Sequence, residues 1–334
     1  MKYTPSIKFL ILGLACLGFG FGFGILFEKK KGNTPLEIRE THAEAFSWTN
    51  PLLECAEDEN LNMSGSLGFQ EDVQNLVTET LAKGRANHIS VYFRDLNNGP
   101  WFDIKSNEPF APASLLKVPV LLGYLKWSEI DPALLSQEIP LLPRSKLPRR
   151  IQIYGKDTNP ETEPRLRIDE MLRRMIVDSD NASFATLVAH DEGRRVERVI
   201  TDLKTSTHKV DGQIQVDARG YSSFFRVLYN SSYLNRQTSE LALSILSQSE
   251  FREGLRSGVP ENIPIAHKYG ERDYFGDRQL HDCGIVYYPS RPYVLCVMTR
   301  GGNAAQLSQV IQNVSRTVFN GIVSRTQTQT AKNW

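Results

Sequence analysis

Apolar residues in this chain fall into runs of different lengths, and each length predicts a different element. Phe9 to Phe27 is an unbroken, uncharged stretch of 19 residues. That is enough for roughly 28 Å of helix at 1.5 Å per residue, and it predicts a membrane-spanning segment. Its five glycines, Gly13, Gly18, Gly20, Gly22 and Gly24, weaken a helix but suit a close-packed membrane face. Val118 to Leu125 is shorter and apolar, which predicts a buried helix starting at Ser114. Ile168 to Val177 is amphipathic at helical spacing, and Ala182 to Ala189 opens a second helix after the tight link Ser179-Asp180-Asn181. Farther on, Ile263 to Glu271 has the pattern of an edge strand. Asp282 to Tyr288 and Tyr293 to Thr299 read as two strands of one hairpin turning at Pro289 to Pro292.

These runs divide the chain into a membrane anchor (residues 1–31), a polar, irregular tether (32–66) with one apolar patch from Trp48 to Leu53, and a domain (67–328). No small-x-small site follows the apolar run, so it reads as an uncleaved signal anchor. Lys2 and Lys8 flank one end and Lys29 to Lys31 the other, so the positive-inside rule barely decides its orientation. The 334 residues are 40% apolar and 10% aromatic, sufficient for a full core in one enzyme-sized α+β unit. A net charge of +1 argues against general nucleic-acid binding. Arg144, Lys146, Arg149 and Arg150 form a local basic cluster broken by Pro143 and Pro148, a solvated loop. The four cysteines lack zinc spacing, and the scattered histidines include no H-E-x-x-H pair, so neither a metal nor a cofactor is expected. A hairpin turn centred near Ser290 and Arg291 offsets Cys283 and Cys296 by about two positions, which predicts buried free thiols.

Chemistry enters with three short pieces: Ser114-Leu115-Leu116-Lys117, Ser179-Asp180-Asn181 and Lys268-Tyr269-Gly270. A serine hydroxyl is a poor nucleophile until a neighbouring base takes its proton. A lysine three residues on serves only if it is partly neutral, which burial and a second nearby cation promote. Lys268 is that second cation, Ser179 a proton relay and Asn181 a hydrogen-bond partner for a substrate amide. A second S-x-x-K, Ser206 to Lys209, runs into the turn Val210-Asp211-Gly212 and has no helix to hold its lysine over its serine. Alone, each piece is also explained blandly, as helix caps and a surface lysine. His267 should point to the opposite face of its strand from Lys268, as a structural residue. No G-x-S-x-G elbow is present, which disfavours a Ser-His-Asp hydrolase.

In this order and spacing, with 65 residues from Ser114 to Ser179 and 89 more to Lys268, the three pieces resemble the S-x-x-K, S-D-N and K-T-G sets of class A serine β-lactamases and the wider penicillin-binding serine hydrolases. The likeness covers roughly Gly68 to Arg325. It takes in a helix from Glu71, the hairpin of His88 to Phe93 with Trp101 to Ile104, and a C-terminal helix from about Asn303. It implies a five-stranded antiparallel sheet flanked by N- and C-terminal helices, with an inserted all-helical subdomain. It also implies a monomer that takes a β-lactam or a peptidoglycan-like small substrate and binds no nucleic acid. Ser114 is then the nucleophile, Lys117, Ser179 and Lys268 the proton-handling groups, and Asn181, Tyr269, Gly270 and the backbone N–H of Glu271 the substrate-binding set, Gly270 allowing close approach. Such substrates lie outside the cytoplasmic membrane, which places the domain there.

Two departures from that pattern matter. Tyr269 stands where the family has Thr or Ser, and a phenol does not put its hydroxyl where a β-hydroxyl would be. No E-x-x-L-N loop lies between Asn181 and Tyr221; Lys209 to Gly220 replaces it, with Asp211 and Asp217 as turn residues or as substitute water activators. Three readings follow: a β-lactamase-type hydrolase with slow hydrolysis, a D-Ala-D-Ala-directed penicillin-binding enzyme, and a non-hydrolytic cell-surface receptor or structural module that kept the fold.

Overall fold

A computed structural model describes residues 46–50, 67–97, 99–147, 153–155, 164–205, 207–210, 213–274, 277–289 and 291–332. The apolar run Phe9 to Phe27, most of the tether, Asp211, Arg149 and Arg150 lie outside the described residues. Among the described residues, no helix is long and apolar enough to cross a membrane.

The order is α1 (Gly68–Ala82), β1 (His88–Asp95), β2 (Trp101–Ile104), a 3₁₀ turn (Ala113–Leu116), α2 (Lys117–Ser128), β3 (Glu138–Pro140), β4 (Arg165–Arg167), α3 (Ile168–Val177), α4 (Asn181–His190), α5 (Arg194–Asp202), β5 (Thr207–Val210), β6 (Gln213–Val216), α6 (Ala218–Tyr229), α7 (Arg236–Ser247), β7 (Ile265–Tyr274), β8 (Asp277–Val286), β9 (Tyr293–Arg300) and α8 (Ala304–Lys332). Five strands form one antiparallel sheet in the order β2-β1-β9-β8-β7. Strands β3 with β4 and β5 with β6 make two small ribbons. This is the expected α+β architecture.

The sheet is covered on both faces. Leu295 and Val297 of β9 join Val73 and Val77 of α1 and Ile311, Val314 and Val318 of α8 in one core. Val294, Cys296 and Met298, on the other face by the two-residue period, join Leu121 of α2, Ile176 of α3 and Phe225 of α6 in a second. Strand β9 is central and buried on both sides, which is why Tyr293 to Met298 reads as an unbroken apolar run. Helix α2 is likewise buried all round, so its sequence shows no polar face.

Two expectations are corrected. Cys283 and Cys296 form a disulfide rather than free thiols. The β8–β9 register pairs Val286 with Tyr293, centring the turn near Pro289 and Ser290, and this brings Cys283 directly opposite Cys296. Gly301 N–H bonds to Arg278 O in the same register, so by alternation the cysteines occupy a non-hydrogen-bonded pair, where facing side chains are closest. Secondly, the domain begins before residue 67. The Glu240 carboxylate on α7 accepts the backbone N–H groups of Ser47, of Trp48 at 2.8 Å and of Thr49 at 2.9 Å. Asn50 N–H bonds to Tyr229 O, Tyr287 Oη donates to Trp48 O, and the Trp48 and Tyr287 rings meet edge to face. Residues 46–50 are therefore a docked segment of the domain.

Hydrogen bonds to a charged group are the strong ones, and this segment has three on one carboxylate. A chain truncated to begin at Met63 is expected to fold but to melt about 5 °C or more below one that begins at residue 40, by scanning calorimetry. Equal melting temperatures would show that the segment adds nothing.

Candidate active site

Ser114 sits in the 3₁₀ turn, and α2 itself starts only at Lys117. The expected helix thus begins one turn late. The consequence for Lys117 is small, because side chains three apart eclipse one another in a 3₁₀ turn. Ala113, immediately before the serine, has φ +47°, a conformation an alanine holds only when its surroundings impose it. Ser114 is half-buried and Lys117 is 1% exposed.

The second piece is held by its own caps. Asp180 is the N-cap of α4 and accepts the N–H groups of Ala182 and Ser183. Ser179, at φ +58° and fully buried, is thereby turned toward α2. Its hydroxyl lies 3.1 Å from Lys117 Nζ and 3.0 Å from Lys268 Nζ. Lys117 Nζ also donates to Ser179 O at 2.5 Å and to Asn181 Oδ1 at 3.0 Å. Lys268, 0% exposed, donates to Tyr269 O as well. Four of the expected residues, Lys117, Ser179, Asn181 and Lys268, are therefore in direct contact although they come from three distant segments.

A hydroxyl has two lone pairs and one proton, so Ser179 accepts from both lysines and keeps its own proton to donate. Burial, followed by the neighbouring Lys117 charge, holds Lys268 well below the usual lysine range; Asp282 and Glu271 oppose the shift. Both opposing acids are already engaged. Asp282 accepts Leu255 N–H and the Nδ1 of His267, and the Glu271 carboxylate accepts the N–H groups of Ile153 and Tyr154. His267 is thus a buried structural residue on the face opposite Lys268.

The remaining β7 residues are placed as follows. Tyr287 N–H bonds to Pro264 O, which marks that pair as hydrogen-bonded. Stepping by two, Lys268 and Gly270 bond to β8, while Tyr269 and Glu271 turn their N–H and C=O groups to the free edge of the sheet. The Tyr269 ring, 2% exposed, stacks on Phe251 with centroids 4.1 Å apart and has Lys268 Nζ 4.1 Å from its centroid. It is an inner wall of the site, packed rather than open. At Gly270 the close approach is by the chain itself: a Cβ there would stand 2.9 Å from Pro112 O and from Leu115 Cγ, in the turn that carries Ser114. Asp217 is buried as the N-cap of α6, accepting Gly220 N–H at 2.7 Å, and the β5–β6 ribbon occupies the segment before it. No cluster of three or more His, Cys, Asp or Glu able to hold a metal ion occurs among the described residues.

Sequence reasoning missed several contributors: the left-handed Ala113, the Phe251 partner of Tyr269, and the side chains of β8 that reach the serine turn. None carries a local signal, because each acts through a contact across the fold.

The model of the beta-lactamase enzyme family matches residues 68–322. No curated protein matches the chain. Among solved structures, a beta-lactamase from Chitinophaga pinensis superposes with a TM-score of 0.66 at 21% identity, covering 75% of this chain and 99% of the other. PBP-A gives 0.65 at 20% identity, covering 77% and 96%. A class A beta-lactamase from Mycobacterium abscessus gives 0.65 at 18%, covering 76% and 99%.

The lowered pKa of Lys268 has a stability consequence. The folded chain binds fewer protons there than the unfolded chain, so the fold loses stability as pH falls from the ordinary lysine value of 10.5 toward the depressed one, and below that the loss is constant. Lys268→Met removes this burden. The variant is expected to melt above the wild type at pH 7 and to converge with it as pH approaches 10.5; melting below the wild type throughout that range would contradict the assignment.

Proposed function

Because the chain belongs to the beta-lactamase enzyme family, whose fold it shares, we propose that it is a serine hydrolase acting through an acyl-enzyme on Ser114, with β-lactams as substrates. The observation that carries this reading is the Ser179 hydroxyl held between two buried lysines at 3.1 and 3.0 Å.

In the proposed cycle, a lysine pair short of one proton supplies the base. Lys117 takes the Ser114 hydroxyl proton as Oγ attacks the substrate carbonyl. Charge on the tetrahedral oxygen is met by the Glu271 N–H at the edge of β7 and by the N-terminal end of the helix that begins at the serine turn. Ser179 passes its proton to the departing nitrogen and is reprotonated from the lysines. Asn181 and Lys268 position the substrate's polar groups, and Tyr269 supplies an aromatic wall in place of a β-hydroxyl, weakening the hold on a substrate carboxylate. Water then cleaves the ester. That last step is slow, because Asp217 is committed to capping α6.

The same commitment favours a second reading, a penicillin-binding enzyme directed at peptidoglycan stem peptides, in which the adduct persists. In either case the domain lies outside the cytoplasmic membrane, anchored through Phe9 to Phe27. The Cys283–Cys296 disulfide supports that placement, since such bonds persist in oxidising compartments.

Intact-mass measurement after incubation with a fluorescent penicillin should show one adduct, absent in Ser114→Ala; an adduct that survives the substitution would sink the assignment. Lys117→Ala and Ser179→Ala should each slow acylation by about 10²- to 10⁴-fold. The double variant should lose little more than the worse single one, since the two act as a unit. With nitrocefin, a burst of one product per enzyme and a nearly flat phase are expected. Sustained turnover above about 10 per second would instead place a working base in residues 209–220. Release of D-Ala from a stem peptide would favour the second reading.

A further inference from the structure

The turn that carries Ser114 packs on the face of the sheet against Gly270 of β7, and side chains of β8 bond the backbone that leads into it. Gln279 and His281, two apart on β8 and so on one face, are 3% and 0% exposed. Gln279 Oε1 accepts Ala111 N–H at 3.0 Å, and His281 Nε2 lies 3.1 Å from Ala111 O. Both backbone polar atoms of Ala111, three residues before the serine, are thus gripped by one strand. The partners also assign the imidazole. Its Nδ1 accepts Thr299 N–H at 3.3 Å, so the ring proton sits on Nε2 and is donated to Ala111 O. The Phe110 ring packs edge-on against the imidazole, and the Phe110 backbone exchanges two bonds with Val216. Downstream, Tyr221 Oη donates to Leu115 O.

Between these anchors lies Ala113 at φ +47°, with Pro112 O seated against Gly270. A left-handed alanine costs about 1–3 kcal/mol and persists only where its surroundings over-determine it. Two of the anchors upstream of it, Gln279 and His281, come from the strand adjacent to β7, which carries Lys268. They therefore set the spacing between Ser114 and the lysine pair.

We propose that Gln279 and His281 are positioning residues for Ser114: by holding both the N–H and the C=O of Ala111 they impose the left-handed turn that aims the serine. This rests on the acyl-enzyme reading above. Neither residue touches substrate, so loss of either should slow the chemical step and spare binding.

The test is single-turnover acylation of the full chain by a fluorescent penicillin, resolved into a maximal rate and a half-saturating concentration. His281→Leu and Gln279→Met remove the donor and the acceptor. Each is expected to lower the maximal rate by about 100-fold, the scale of a 1 Å misplacement, with the half-saturating concentration within about threefold of wild type. His281→Gln restores an N–H near the Nε2 position and should recover most of the rate. Gln279→Met keeps side-chain length and apolar packing and serves where His281→Leu does not fold. Folded variants with unchanged maximal rates overturn the proposal, as does a loss of melting temperature with the rate intact. Failure of the wild type to form any Ser114 adduct would instead sink the acyl-enzyme reading itself.

Discussion

Two lysine side chains converge on one serine hydroxyl in a region closed to bulk water, and much of the rest of the domain is arranged to hold them there. Lys117 and Lys268 are buried and meet at Ser179 Oγ. Burial and the neighbouring Lys117 charge both disfavour the protonated form of Lys268, whose pKa is held well below the usual lysine range. The acids near enough to relieve it are occupied: Asp282 by His267 and the Leu255 N–H, Glu271 by the N–H groups of Ile153 and Tyr154. Their field reaches Lys268 without a direct ion pair. The pair is held at a cost in stability that the surrounding cores offset.

Rigid surroundings are what make the convergence persist. Helix α2 is buried from Lys117 through Leu125, which fixes its position against its neighbours. Strand β7 is an edge, but β8 and the central β9 lie behind it, and the disulfide ties those two together. Both serines lie at strained backbone: Ala113 before Ser114, and Ser179 itself, hold positive φ. Each is flanked by anchors, Asp180 capping α4 in one case and Gln279, His281 and Tyr221 in the other. Backbone strain at functional positions surrounded by satisfied hydrogen bonds is a means of preorganisation.

The departures from the family pattern gain a physical meaning in the same frame. Tyr269 does not offer a hydroxyl in place of threonine; its ring fills space against Phe251 and presents its face to Lys268. The missing glutamate loop is replaced by the β5–β6 ribbon, which leads into the Asp217 cap and, at Val216, pairs with Phe110 beside the serine turn. In this chain the segment following the second motif pairs with the chain leading into the serine turn and caps α6.

Much of this was legible in the sequence. The buried helix at Val118 to Leu125, the amphipathic Ile168 to Val177 and the strands around Lys268 follow from periodicity, because burial selects apolar side chains at the period of each element. The three motifs specified which residue types the chemistry needs, and their order resembled a known family. Four of those residues do come into contact. What periodicity does not encode is register and packing partner. A shift of one residue in the β8–β9 turn decided between two free thiols and a disulfide. Residues 46–50 looked like tether because their affinity is for Glu240, some 190 positions away. The roles of Gly270, Tyr269, Gln279 and His281 depended on which segments crossed at each point. Local propensity is written residue by residue and can be read along the chain, whereas long-range contacts are selected by the fold as a whole, so only the tertiary structure decided them.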